Sequence, residues 1–153
     1  MPAKLTVIRA HVQEGGSPIL TGRVLTADET PLQQGDISSN TIALSVYDVS
    51  SGGEGQRGAT AIFTKTDIST TAGGPGAVAC ISASGSFATT YWNGRDGTGY
   101  NFAYRLIYDT SGATGPYLRG GHTYRCEFSA SAGSTFGTVH WHFILYVEPL
   151  ISV

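Results

Sequence analysis

Hydrophobic and polar positions alternate most cleanly near the end of the chain. Val139, Trp141, Phe143, Leu145 and Val147 take every other position, the period-two signature of a strand with one face in a core. Tyr124, Cys126 and Phe128 alternate likewise with Thr123, Arg125, Glu127 and Ser129, and the small residues of 129–134 separate the two runs as a turn. The pattern predicts a long hairpin over residues 120–149. Each arm carries large apolar groups on one face, so a second sheet has to cover that face.

The rest of the chain supplies the strands for it. Residues 5–12 put Leu5, Val7 and Arg9 on one face and Ile8, Ala10 and Val12 on the other, ahead of a Gly- and Pro-bearing turn. They predict a first strand or, over residues 1–12, an N-terminal arm. Residues 19–26 predict a second strand, and residues 41–48 a third through Ile42, Leu44 and Val46; residues 59–66 predict a shorter one. In residues 100–108, Tyr100, Phe102, Tyr104, Leu106 and Tyr108 alternate with Asn101, Ala103, Arg105 and Ile107, another strong strand. Residues 50–58, with four glycines among nine, and residues 69–76 read as exposed loops. Residues 78–92 predict two short strands. No helical periodicity of useful length and no internal repeat occurs. The expectation is one all-β domain over residues 1–153: a single antiparallel β-sandwich, immunoglobulin-like or jelly-roll-like, of about seven to nine strands with long Gly-rich loops.

Composition narrows the partners. A chain of 153 residues buries a sizeable core without metal or disulfide staples. Only 13% of the residues are charged, about half the usual share, so uncharged surface under a partner is expected. The net charge of -2 offers no basic field for a phosphate backbone or an anionic bilayer. No apolar run reaches the ~18 residues of a membrane span. Neither nucleic acid nor membrane is expected as a partner. The start, Met-Pro-Ala-Lys-Leu-Thr, lacks the apolar centre of a secretion signal and predicts synthesis in the cytoplasm.

Three constellations carry candidate chemistry. Cys80, Trp92, Tyr124 and Cys126 follow the outline of an immunoglobulin domain, with its inter-sheet disulfide and tyrosine corner. Nothing signals an oxidising compartment, and the alternative is two buried thiols acting as small hydrophobes, with Tyr124 hydrogen-bonding back onto the preceding turn. His140 and His142 share one strand face and, with His122, offer three of the ligands a metal needs; packing against a loop or a neighbouring subunit is the competing reading. Tyr91, Trp92, Tyr100 and Tyr117 offer an aromatic platform of the kind that stacks on sugar rings. Asn93, Asp96 and Thr98 read as turn chemistry. No nucleophile with a base, carboxylate pair or complete metal set converges, so neither an enzyme nor a cofactor is expected.

Residues 19–51, residues 92–106 with Gly99-Tyr100-Asn101-Phe102, and residues 121–150 together resemble a group of small β-sandwich proteins of tailed bacteriophages and related metagenomic sequences. Those are virion accessory proteins, either capsid decoration (cement) proteins or immunoglobulin-like modules of the baseplate-upper-protein type. The resemblance covers about half the chain and brings no catalytic residue with it. It implies a structural virion protein on the outer capsid surface, bound to the major capsid protein and to itself as a homotrimer. The alternative it implies is a tail or baseplate module; the aromatic platform adds a carbohydrate-binding sandwich acting in host recognition as a further alternative. Leu5, Val7 and Ile8 of the arm, and Ile144 and Tyr146 of the last strand, are the expected assembly contacts.

Overall fold

A computed structural model describes residues 6–51, 60–83 and 100–150. Among them are seven strands: β1 (Thr6–Gln13), β2 (Ile19–Gly22), β3 (Thr41–Asp48), β4 (Phe63–Ser69), β5 (Phe102–Arg105), β6 (Thr123–Ser131) and β7 (Thr138–Glu148). Five of them form one sheet in the order β1-β7-β6-β3-β4, and β2 pairs with β5 in a second. No helix among the described residues is long and apolar enough to cross a membrane.

The closing hairpin lies at the centre of the larger sheet. β6 and β7 pair antiparallel from Thr123↔Tyr146 to Ser131↔Thr138. A one-turn helix, α1 (Gly133–Phe136), joins them in place of a simple turn. Gly133 and Gly137 bracket it at φ 67° and 66°, a region that favours residues without a Cβ. The period-two pattern does the packing: Cys126, Phe128, Trp141, Phe143 and Leu145 all reach the core. The smaller sheet supplies the cover, with Phe102 at 4.9 Å from Phe128 and 5.2 Å from Trp141 between ring centroids, and Tyr104 at 5.6 Å from Phe128. Burial of each such ring contributes about 1.5–3 kcal/mol.

The larger sheet is mixed, which corrects the expectation of a wholly antiparallel arrangement. β1 runs parallel to β7 along its whole length, from Thr6↔Trp141 to Gln13↔Glu148. With more than a hundred residues between the two strands in sequence, no tight turn dictates their direction. Packing sets the register instead: Ile8, Ala10 and Val12 lie beside Phe143, Leu145 and Val147, against the core.

The second and fifth strands are shorter than their patterns predict, and one side chain accounts for much of that. Beyond Gly22 the chain curls into a loop closed by Leu32 N–H to Val24 C=O (2.9 Å) and Thr26 N–H to Thr30 C=O (2.8 Å). Asn101, fully buried just ahead of β5, accepts from the Val24 N–H at 2.7 Å and donates to the carbonyls of Val24 and Leu32 at 2.8 and 2.9 Å. A side-chain amide thus stands in for the missing strand ladder. At the other end of β5, Asp109 draws residues 109–114 into a tight loop by accepting from the N–H groups of Ser111, Ala113 and Thr114. β4 starts four residues later and ends three residues later than the predicted 59–66 run. Of the two strands predicted in residues 78–92, the described part contains only a bridge, Ile81↔Phe102; the remainder falls outside the described residues.

Candidate interaction surfaces

The outward face of the larger sheet is built from the polar half of the same alternation. On it β7 places His140, His142, Ile144 and Tyr146, β6 places Arg125 and Glu127, β3 places Tyr47, and β1 places Val7 and His11. Arg125 lies flat and buried, its Nε 2.8 Å from Glu127 Oε1 and its guanidinium 5.1 Å from the Tyr47 ring centroid. His142 Nε2 stands 3.8 Å from the same carboxylate oxygen. Along the edge, His11 Nδ1 pairs with Glu148 at 2.9 Å and its ring meets Tyr146 edge-on at 5.4 Å. The buried Arg125 is held in place by Glu127 and Tyr47, whereas the exposed His11–Glu148 pair is a weak surface contact.

The expected assembly residues do not form one patch. Val7 is 40% exposed, Tyr146 is half-buried, and Ile144 is only 5% exposed, covered within the chain itself. Ile8 points to the opposite side and packs against the core. Leu5 lies outside the described residues, as do Tyr91 and Trp92 of the aromatic platform. Tyr100 is 2% exposed: it turns inward and presents no ring to a glycan. Tyr117 is the described member of that set that keeps an open ring, at 38% exposure.

Tyr117 stands over a groove of about 240 Å³ at the far end of the strands, lined also by Asp48, Thr110, Ser111, Arg119 and Tyr124. The Arg119 guanidinium lies 5.3 Å from the Tyr117 centroid, and the Arg119 N–H donates to the Tyr124 hydroxyl at 2.8 Å. Tyr124 therefore bonds back onto the preceding turn, as its position two residues before Cys126 suggests. Partial burial opposes ionisation of Asp48. The Ser50 hydroxyl and N–H, with His122 at 2.7 Å, outweigh that and hold its carboxyl below the usual range.

The three histidines are not brought together. His122 sits at the level of the Tyr146 end of the ladder and is engaged by Asp48, whereas His140 lies opposite Ser129, about 20 Å away along β7 at ~3.3 Å per residue. Among the described residues no group of three metal-binding side chains gathers. Cys80 and Cys126 are both free and buried, and burial pushes each thiol up to about 12. Asn101 and the Asp48–His122 pair went unmarked in the sequence. A polar residue set among alternating aromatics was the available signal for the first; the second joins residues 74 apart and left none.

The chain matches no protein-family model, no curated protein and no solved structure.

Proposed function

We propose that this chain is a non-enzymatic structural protein of a tailed-phage particle, a capsid decoration protein that binds the major capsid protein on the outer shell. The reading includes an immunoglobulin-like sandwich and a homotrimer. Two features support that fold: β3, β6 and β7 adjoin in one sheet with β2 and β5 in the other, and Tyr124 reaches back to the Arg119 backbone, as strands C, F, G, B, E and the tyrosine corner do in that family. The inter-sheet disulfide is lacking.

The observation that carries the assembly role is the β1 edge: eight residues in continuous register, with Val7 and His11 on its outward face. An edge of this length, without a bulge or proline, is a template for contact with another chain. Removing the arm, residues 1–12, would also take Ile8, Ala10 and Val12 off the core, so Val7→Glu is the cleaner probe. Mass spectrometry of purified particles tests the reading: copies of this chain near those of the major capsid protein are expected, and absence from particles overturns it. Light scattering of the isolated protein should give three protomers, and Val7→Glu should lower binding to empty shells.

The exposed Tyr117 ring, beside Arg119 and Asp48, favours one second reading, a sugar-binding module of the tail. A glycan array that lights up with the wild type and not with Tyr117→Ala would move the assignment there.

A further inference from the structure

A larger groove, of about 780 Å³, lies between the edge strand β4 and β5. Its size falls within the ~300–1,000 Å³ usual for ligand sites. The floor is apolar, made by Phe63 and Tyr104, and Ile107 stands on the rim at 45% exposure.

Local features show that this flank is preformed. The pairing of β3 with β4 skips a step: Leu44 faces Lys65 while Ile42 faces Ile68, so Thr66 and Asp67 together oppose a single residue. Such a bulge re-aims side chains, and both bulged residues line the groove. Lys65 faces inward across from the buried Leu44 and meets Asp67 at 3.2 Å. The facing wall, residues 72–77, is folded tightly on itself. Gly74 N–H bonds the Val78 carbonyl at 2.8 Å, and a Cβ on Gly74 would meet the Ala79 carbonyl oxygen at 2.5 Å. At its tip Ala77 is held at φ 61°, a conformation that costs a non-glycine residue about 1 kcal/mol or more and persists only where surrounding structure enforces it.

Charge selects the occupant. Lys65 and Asp67 balance one another, which leaves Arg105, exposed at the groove and without an ion-pair partner among the described residues. In a chain of net charge -2, this groove is locally positive. A carboxylate is what the Arg105 fork lacks. The bulge denies a regular added strand, but an extended segment laid along the groove can seat an apolar side chain over Phe63 and Tyr104 and a carboxylate at Arg105. We infer that the groove between β4 and β5 binds an extended acidic peptide segment of a protein partner, at a site separate from the β1 edge and independent of the capsid reading.

Fluorescence anisotropy with a labelled octapeptide of alternating valine and glutamate, beside its valine–lysine counterpart, tests this on the full chain. The glutamate peptide should bind and the lysine peptide should not, and binding should weaken as salt rises. Arg105→Glu should raise the glutamate peptide's Kd by at least about tenfold, the loss of one charge-assisted contact, and Ile107→Ser should weaken it without changing the salt dependence. Amide shift perturbations should map to residues 63–67 and 104–107. No binding of the glutamate peptide, equal binding of the two peptides, indifference to Arg105→Glu, or shifts confined to the β1 and β7 face would each overturn the assignment.

Discussion

Asn101 gives the sharpest test of what ties the start of β5 to the loop that follows β2. Asn101→Ala leaves the Val24 N–H and the Leu32 C=O without partners, because neither makes another hydrogen bond among the described residues; the Val24 carbonyl retains Leu32 N–H at 2.9 Å. A buried polar group left unsatisfied costs about 1–3 kcal/mol, so the two together predict a loss of about 4 kcal/mol. With a urea m-value of about 2 kcal/mol/M, the unfolding midpoint should fall by about 2 M. Fluorescence of the buried Trp141 is a suitable probe. Asn101→Asp separates hydrogen bonding from volume. It keeps the acceptor for Val24 N–H but turns an oxygen toward two carbonyls, so its folded-state pKa should be raised. A raised carboxyl pKa makes the native state hold the proton longer, and the deficit against wild type should widen as pH rises above about 3.9. A loss under about 1 kcal/mol for Asn101→Ala would refute the reasoning. It would mean that residues 24–32 find other partners and that Asn101 does not tie them to the start of β5.

Three further outcomes follow from the same geometry. Tyr124→Phe removes the acceptor of Arg119 N–H and should cost about 1–2 kcal/mol in urea unfolding; an unchanged midpoint would show that the turn holds without it. Both thiols, pushed up to about 12, should be inert to a thiol reagent in the native protein at pH 8. Two equivalents should react after denaturation, and the thermal midpoint should be the same with and without reductant. Asp48 has a folded pKa below its ordinary 3.8, so its contribution is present above that pH and is lost as pH falls through the depressed value. The midpoint gap between wild type and Asp48→Asn should therefore be full at pH 6 and close below pH 3.8, and a gap constant down to pH 2.5 would contradict it.

The elements that were legible in the sequence are those in which side-chain alternation and backbone pairing agree. Residues 41–48 are a strand with the bounds that Ile42, Leu44 and Val46 suggest, and the closing hairpin follows its two runs. Where alternation misled, a local hydrogen bond had displaced the ladder. Tyr100 to Tyr108 alternate through nine residues, yet only Phe102–Arg105 pair as strand, because Asn101 bonds across to residues 24–32 and Asp109 winds the following loop. The direction of β1 was not legible either. Parallel and antiparallel pairing bury the same Ile8, Ala10 and Val12, so the hydrophobic pattern does not distinguish them. The groove between β4 and β5 depends on a bulge of one residue, and no composition signal marks that.

The two outer edges of the larger sheet differ in a way that bears on assembly. β4 is guarded by its bulge, by the inward Lys65 and by Asp67, devices that stop a sheet from growing. β1 carries none of them. Glu14 N–H bonds the Glu148 carbonyl at 3.0 Å, which continues a ladder in which even-numbered residues of β1 donate to β7. The N–H of His11 accordingly points away from the sheet. His11→Pro deletes that outward donor without breaking a ladder bond, and an edge strand tolerates proline there. The exposed pair with Glu148, also lost, is worth no more than about 1 kcal/mol. The variant should remain folded by circular dichroism, with a thermal midpoint lowered only a few degrees. If assembly adds a strand to this edge, it should run as a monomer in light scattering and fail to bind shells. Intact trimers and undiminished shell binding by His11→Pro would instead show that contact is made through the outward face, by Val7 and Tyr146, with the edge itself left bare.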